Sequence, residues 1–74
     1  MNNKLQNKLR QCRKAQRITQ SELAVRAGVG LATVNRLERW HFPASLTTAE
    51  RLANVLGVEV ATIFPYLAKE VARR

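Results

Sequence analysis

At 74 residues the chain has room for one small core, and thirteen Lys and Arg against five Asp and Glu leave it a formal charge of +8. That balance selects a polyanionic partner, nucleic acid or an anionic membrane surface, while a core this small calls for good helix packing or a second subunit. With one cysteine no internal disulfide forms, the N-terminus lacks the apolar core of a secretory signal, and no apolar run approaches the roughly 20 residues of a membrane-spanning helix. The expectation is a single domain over residues 1–74, cytoplasmic and soluble.

The first segment, Asn3 to Gln16, carries Leu5, Leu9 and Cys12 at helical spacing among Lys4, Lys8, Arg10, Arg13 and Lys14, which predicts a basic amphipathic helix. Thr19-Gln-Ser-Glu22 then has the form of a capping box, in which the Thr19 hydroxyl and the Glu22 carboxylate satisfy backbone donors left open by a new helix. Leu23, Ala24 and Ala27 share one face of that second helix, and Gly28 stands where a left-handed cap ends it. A third helix from Leu31 to Arg39 turns Val34 and Leu37 inward and exposes Ala32, Thr33, Asn35, Arg36 and Arg39.

Pro43 lacks a backbone donor and biases Phe42 away from helical angles, so residues 40–45 read as a loop. From Ser45 or Thr47 to Leu56 a fourth apolar stripe follows, made of Leu46, Ala49, Leu52, Ala53 and Leu56 and closed by Gly57. Val60 to Phe64 suits a short fifth helix. Pro65 is placed to open a C-terminal extension over residues 65–74 that bears Tyr66, Leu67 and Val71.

The informative stretch runs from Gln20 to Leu37, where two short helices flank a tight turn. Ala24 is small because the next helix crosses close above it, and Gly28 permits the left-handed turn. Val29, Val34 and Leu37 fill the angle between the helices. All of these requirements met in register define a helix-turn-helix.

On these residues, and on Leu9-Arg-Gln-Cys-Arg13, Ile18-Thr-Gln-Ser-Glu-Leu-Ala24, Thr33-Val-Asn-Arg-Leu-Glu38 and Leu52-Ala-Asn-Val-Leu-Gly-Val58, the chain resembles the phage repressor and Cro family, also called the xenobiotic-response-element family. The resemblance covers roughly residues 5–64. It implies an all-α, lambda-repressor-like domain of five helices, with the motif core at residues 20–39 and the helix from Leu31 entering the major groove of double-stranded DNA.

Carried over by position, the resemblance gives Gln20 the role of anchoring the DNA backbone and places Leu31, Ala32, Thr33 and Arg36 against bases. Arg36 can donate two hydrogen bonds to the O6 and N7 edge of guanine, whereas Leu31 and Ala32 suit a thymine methyl. Asn35 lies farther round the helix and is assigned to a phosphate. The resemblance also implies that Arg13 and Glu38 form a structural ion pair between the first helix and the end of the recognition helix. Arg10, Lys14, Arg17 and Arg39, with backbone donors near Thr47 and Thr48, are the expected phosphate neighbours. Lys4, Lys8, Arg73 and Arg74 form a solvated background.

The chain departs from the family at two turns where glycine is usual, Arg17 after the first helix and Trp40 after the recognition helix, so those turns are expected to differ. Pro43 stands one place early. Three roles are open to Trp40, His41 and Phe42: covering the core, forming a dimer or partner surface, or touching DNA, with the first favoured because buried aromatics usually pack.

Lone Cys12 and lone His41 make neither a nucleophile–base pair nor a metal set, so no enzyme, cofactor or metal site is expected. Two functional classes follow. One is a dimeric transcriptional regulator, a repressor on a palindromic operator. The other is an antitoxin-type autoregulator whose Tyr66, Leu67 and Val71 bind a protein partner. A basic amphipathic module on anionic membranes is the weaker third idea, because the apolar residues of the first helix are better spent in a core.

Overall fold

The computed structural model describes residues 4–73 and is all-helical over them. Helix α1 spans Leu9–Ala15, α2 Gln20–Ala27, α3 Leu31–Trp40, α4 Leu46–Leu56 and α5 Val60–Ile63. A 3₁₀ turn at Pro65–Leu67 leads into α6, Ala68–Ala72. None of these helices is long and apolar enough to cross a membrane.

Helix α1 begins later than its periodicity predicts. The expected start at Asn3 lies outside the described residues; within them, Lys4 and Leu5 form a turn and residues 6–8 are irregular. The cause is Asn7. Its Oδ1 accepts the Leu9 N–H at 3.0 Å, its Nδ2 donates to the Leu37 carbonyl at 2.9 Å, and its own N–H donates to His41 Nδ1 at 3.2 Å. The Lys8 N–H donates to the Ile63 carbonyl at 2.9 Å. An asparagine that bonds the backbone two residues ahead competes with helix, and here it also staples the segment to the end of α3, while Lys8 ties it to the end of α5.

Helix α2 starts where the capping box places it. Thr19 Oγ1 accepts the Glu22 N–H at 3.0 Å, and Glu22 Oε1 accepts the Thr19 N–H at 3.1 Å. These bonds hold the exposed Glu22 carboxyl below its ordinary pKa, the backbone bond from Thr19 contributing most. Ser45 caps α4 in the same way by accepting the Thr48 N–H. Gly28 and Gly57 close α2 and α4 at φ 68° and 67°, angles that a Cβ disfavours.

The core is built from Leu9 of α1, Leu23, Ala24 and Ala27 of α2, Val34 and Leu37 of α3, four residues of α4, and Val60, Ile63, Phe64 and Leu67 beyond. Burying each large aliphatic or aromatic side chain here contributes about 1.5–3 kcal/mol. Ala24, Ala27, Ala49 and Ala53 are the small partners that let α2, α3 and α4 approach. Cys12 is partly buried against this core.

Three expectations are corrected at the turns. Arg17 does adopt the left-handed conformation, at φ 58°, so the first turn keeps its shape without glycine. Trp40 is the last residue of α3, not part of the loop, and the left-handed position moves on to His41 at φ 50°. Trp40 and Phe42 are 57% and 49% exposed, so neither covers the core. Only His41 of the three is partly buried, where it receives the Asn7 N–H.

The C-terminal segment folds back onto its own domain. Leu67 is buried, Tyr66 and Val71 pack against the core, and the Tyr66 hydroxyl accepts the Ala44 N–H at 3.0 Å. Of the three residues expected to face an antitoxin's partner, Leu67 is buried, whereas Tyr66 and Val71 keep part of their surface exposed. Arg74 lies outside the described residues.

Candidate nucleic-acid interface

Helix α3 has two unlike sides because its sequence alternates with a helical period. Val34 and Leu37 are buried, whereas Ala32, Asn35, Arg36 and Arg39 are exposed, and Leu31 at its first turn is 49% exposed. Thr33 is half-buried at the border. Two left-handed or extended glycines, Gly28 and Gly30, turn the chain from α2 into α3 within three residues. Arg51 of α4 braces that turn by donating to the Gly28 carbonyl at 3.3 Å. Nothing in the sequence pattern marks this arginine, since it sits on the exposed side of an ordinary amphipathic helix.

Beneath the exposed face lies a polar network that joins three helices. Arg13 of α1 donates through Nε to Glu38 Oε2 at 2.7 Å and through Nη2 to Oε1 at 2.9 Å, and its Nη1 donates to the Ile18 carbonyl at 2.8 Å. The two side chains are 11% and 3% exposed, so this is a buried, bidentate ion pair. The hydrogen bond to Glu38 holds the Arg13 guanidinium above its ordinary pKa, burial acting against it and the attraction of the carboxylate adding to it. Gln20 Nε2 donates to the same Glu38 Oε1 at 3.1 Å, and Gln20 Oε1 accepts from Asn35 Nδ2 at 3.4 Å.

Around this network Arg10, Arg13, Gln20, Asn35, Glu38 and Arg39 line an open groove of about 460 Å³. Its rim carries the exposed guanidinium groups of Arg10 and Arg39, while the charge of Arg13 is neutralised in the floor. An anion resting there meets two cations and the amide of Gln20. Lys14 lines an adjoining groove that also contains Arg10 and Glu38. Arg17 is exposed in the turn between α1 and α2, and Arg39 lies 5.0 Å over the Trp40 ring. Thr47 is exposed at the first turn of α4. The Thr48 amide, by contrast, donates to Ser45 Oγ, so the Thr48 backbone offers no open donor, and Ser45 Oγ in turn donates to the Thr48 hydroxyl at 3.1 Å.

Asn7 is the other residue that periodicity misplaces. Counted inside a helix, it looks like one more polar surface position; its place two residues before Leu9 is the signal of an Asx turn. Lys4, Lys8 and Arg73 are exposed. Among the described residues no group of His, Cys, Asp or Glu is arranged to hold a metal.

An exposed, basic α3 crossing behind a short α2 through a glycine turn defines a helix-turn-helix DNA-binding protein. The helix-turn-helix family model matches residues 9–63, and the chain belongs to this family, in its Cro/C1 repressor-like branch. An HTH-type transcriptional regulator of Methanocaldococcus jannaschii, itself uncharacterized, is 34% identical over 62 residues, covering 84% of this chain and 94% of the relative. A second uncharacterized regulator of that type, from Methanothermobacter thermautotrophicus, is 43% identical over 51 residues, 69% of this chain and 74% of its own. Among solved structures, the restriction-modification controller protein C.AhdI of Aeromonas hydrophila superposes with a TM-score of 0.73 at 31% identity, over 82% of this chain and 92% of that one. The protein is a DNA-binding transcriptional regulator, and its family is not an enzyme class.

Proposed function

We propose that this regulator is a sequence-specific repressor that binds double-stranded DNA as a homodimer on a palindromic operator. The observation that carries the reading is the outer side of α3, where exposed Ala32, Arg36 and Leu31 stand clear of a helix whose inner side is locked into the core. Leu31, Ala32, Thr33 and Arg36 meet base edges. Arg36 takes guanine O6 and N7 with two hydrogen bonds, worth about 1–3 kcal/mol of discrimination, and Leu31 and Ala32 meet thymine methyl groups. Arg39, Arg10, Lys14, Arg17 and the Thr47 amide approach phosphates, which fix register without reading sequence.

The molecule measures 30 × 29 × 21 Å, so two copies related by a two-fold axis have room to place their α3 helices one turn of B-DNA apart, roughly 34 Å. The likeness to a restriction-modification controller protein, 92% of which this chain covers, supports the regulator reading. The simplest action of such a dimer is to occlude polymerase.

Selection of binding sites from a random duplex library tests the proposal. The expected result is a consensus with two inverted half-sites, bound by two copies of the chain. Affinity that falls with salt while no sequence is enriched would mean that phosphates alone carry the binding, and the proposal would be abandoned.

A further inference from the structure

We infer that Asn35 reads a base rather than a phosphate, that the base is adenine, and that Gln20 is the positioning residue that sets its amide. This deepens the proposal above and rests on α3 lying in the major groove.

Arg13 has only donors, and it holds both oxygens of the Glu38 carboxylate, at 2.7 and 2.9 Å. An ionised carboxylate only accepts. Whatever Gln20 turns toward Glu38 must therefore be its NH₂ group, as in the 3.1 Å bond from Nε2 to Oε1. That choice fixes the other end of the Gln20 amide as an acceptor facing α3. Asn35 can satisfy it only by turning its own NH₂ inward, as in the 3.4 Å bond from Nδ2 to Gln20 Oε1. A buried ion pair thus dictates, through one amide, which way the next amide points.

What remains open on Asn35 is one Nδ2–H and Oδ1. One donor beside one acceptor is the pattern that complements adenine, whose N7 accepts and whose N6 amino group donates in the major groove. Guanine offers two acceptors there, and cytosine a lone donor, so neither uses both atoms. Asn35 is exposed and shares the outer side of α3 with Ala32, Arg36 and Arg39. Its amide thus enters the groove already ordered, with little rotamer freedom left to lose on binding.

The test uses the full chain on the duplex enriched by site selection, with each half-site position varied through all four base pairs. Asn35→Ala is expected to erase a preference for A·T, of about tenfold, at one position per half-site. Gln20→Met keeps the length of the side chain and leaves the Arg13–Glu38 pair intact. It is expected to cut the preference at that same position to about twofold, although Asn35 is unchanged, and to add nothing further in an Asn35→Ala background.

A purely structural or phosphate-anchoring Gln20 behaves differently. Gln20→Met would then weaken all sequences equally and leave the A·T preference whole, which overturns the inference while site-specific DNA binding stands. The inference also falls if Asn35→Ala changes affinity with no change at any base pair. If the wild-type chain enriches no sequence at all, the underlying reading fails with it. Melting temperatures, expected to show both variants folded at the assay temperature with Gln20→Met the lower of the two, separate these outcomes from loss of fold.

Discussion

The two sides of α3 are built from the same ten residues and are held by different physics. Inside, Val34 and Leu37 are buried and Glu38 is bound by Arg13 and Gln20. Outside, Ala32, Arg36 and Arg39 face solvent. The inner side fixes the helix by desolvation and by a charge pair that cannot be separated cheaply; the outer side contributes little to folding and is left for a ligand. Arg13 and Arg36 make the contrast sharpest, since one guanidinium is consumed by structure and the other is displayed.

Removing the structural arginine is the largest perturbation. Arg13→Ala leaves the Glu38 carboxylate buried without its partner and is expected to cost about 3–5 kcal/mol in denaturant unfolding. If the loss is under about 1 kcal/mol, the pair behaves as a surface salt bridge and the inner side is held by apolar packing alone.

A smaller effect, of opposite sign, is expected at Arg17. Its left-handed backbone costs a side chain about 1–2 kcal/mol relative to glycine, so Arg17→Gly should raise stability by about 1 kcal/mol after the extra flexibility of the unfolded chain is allowed for. His41→Gly relieves the same strain at φ 50° but deletes the Nδ1 that receives the Asn7 N–H, and is expected to gain less. Equal gains from both would show that the Asn7 bond contributes nothing to the end of α3.

On the outer side, Arg39→Ala should leave unfolding within about 0.5 kcal/mol of wild type. It should weaken DNA binding uniformly across sequences and lower the salt slope by about one. A Tm several degrees lower would mean that its stacking on Trp40 is part of the fold.

The smallest effect concerns acid. Because the Thr19 bonds depress the folded pKa of Glu22, its contribution is fully present above the ordinary carboxylate value and is lost as the pH falls through the folded one. The Tm of the wild type should therefore drop slightly more on acidification than that of Glu22→Gln, whose side chain does not titrate. Parallel Tm curves would remove the capping carboxylate from the account.

How much of this was legible in the sequence depended on whether a residue's role is local. The capping box at Thr19, the left-handed caps at Gly28 and Gly57, and the inward Val34 and Leu37 follow from spacing, because the neighbours that use them lie within one turn. Periodicity failed at residues 4–8, where bonds from Asn7 to Leu37 and His41 and from Lys8 to Ile63 override a good helical pattern. It also could not show that Trp40 continues α3 or that Tyr66 reaches back to Ala44, since both depend on where the chain returns. Within the site, the resemblance paired Arg13 with Glu38, but the bonds that run on through Gln20 to Asn35 depend on how α2 packs against α3.

The central claim is that the outer side of α3 reads bases while the inner side keeps the fold. The most direct measurement compares wild type with Arg36→Ala on the enriched duplex and on its single-base-pair variants across a salt series. The expected result is loss of discrimination at one G·C pair per half-site, about 1–3 kcal/mol, with the salt slope and the Tm unchanged. A uniform loss on every sequence, with the slope reduced by about one, would make Arg36 a phosphate contact and contradict it.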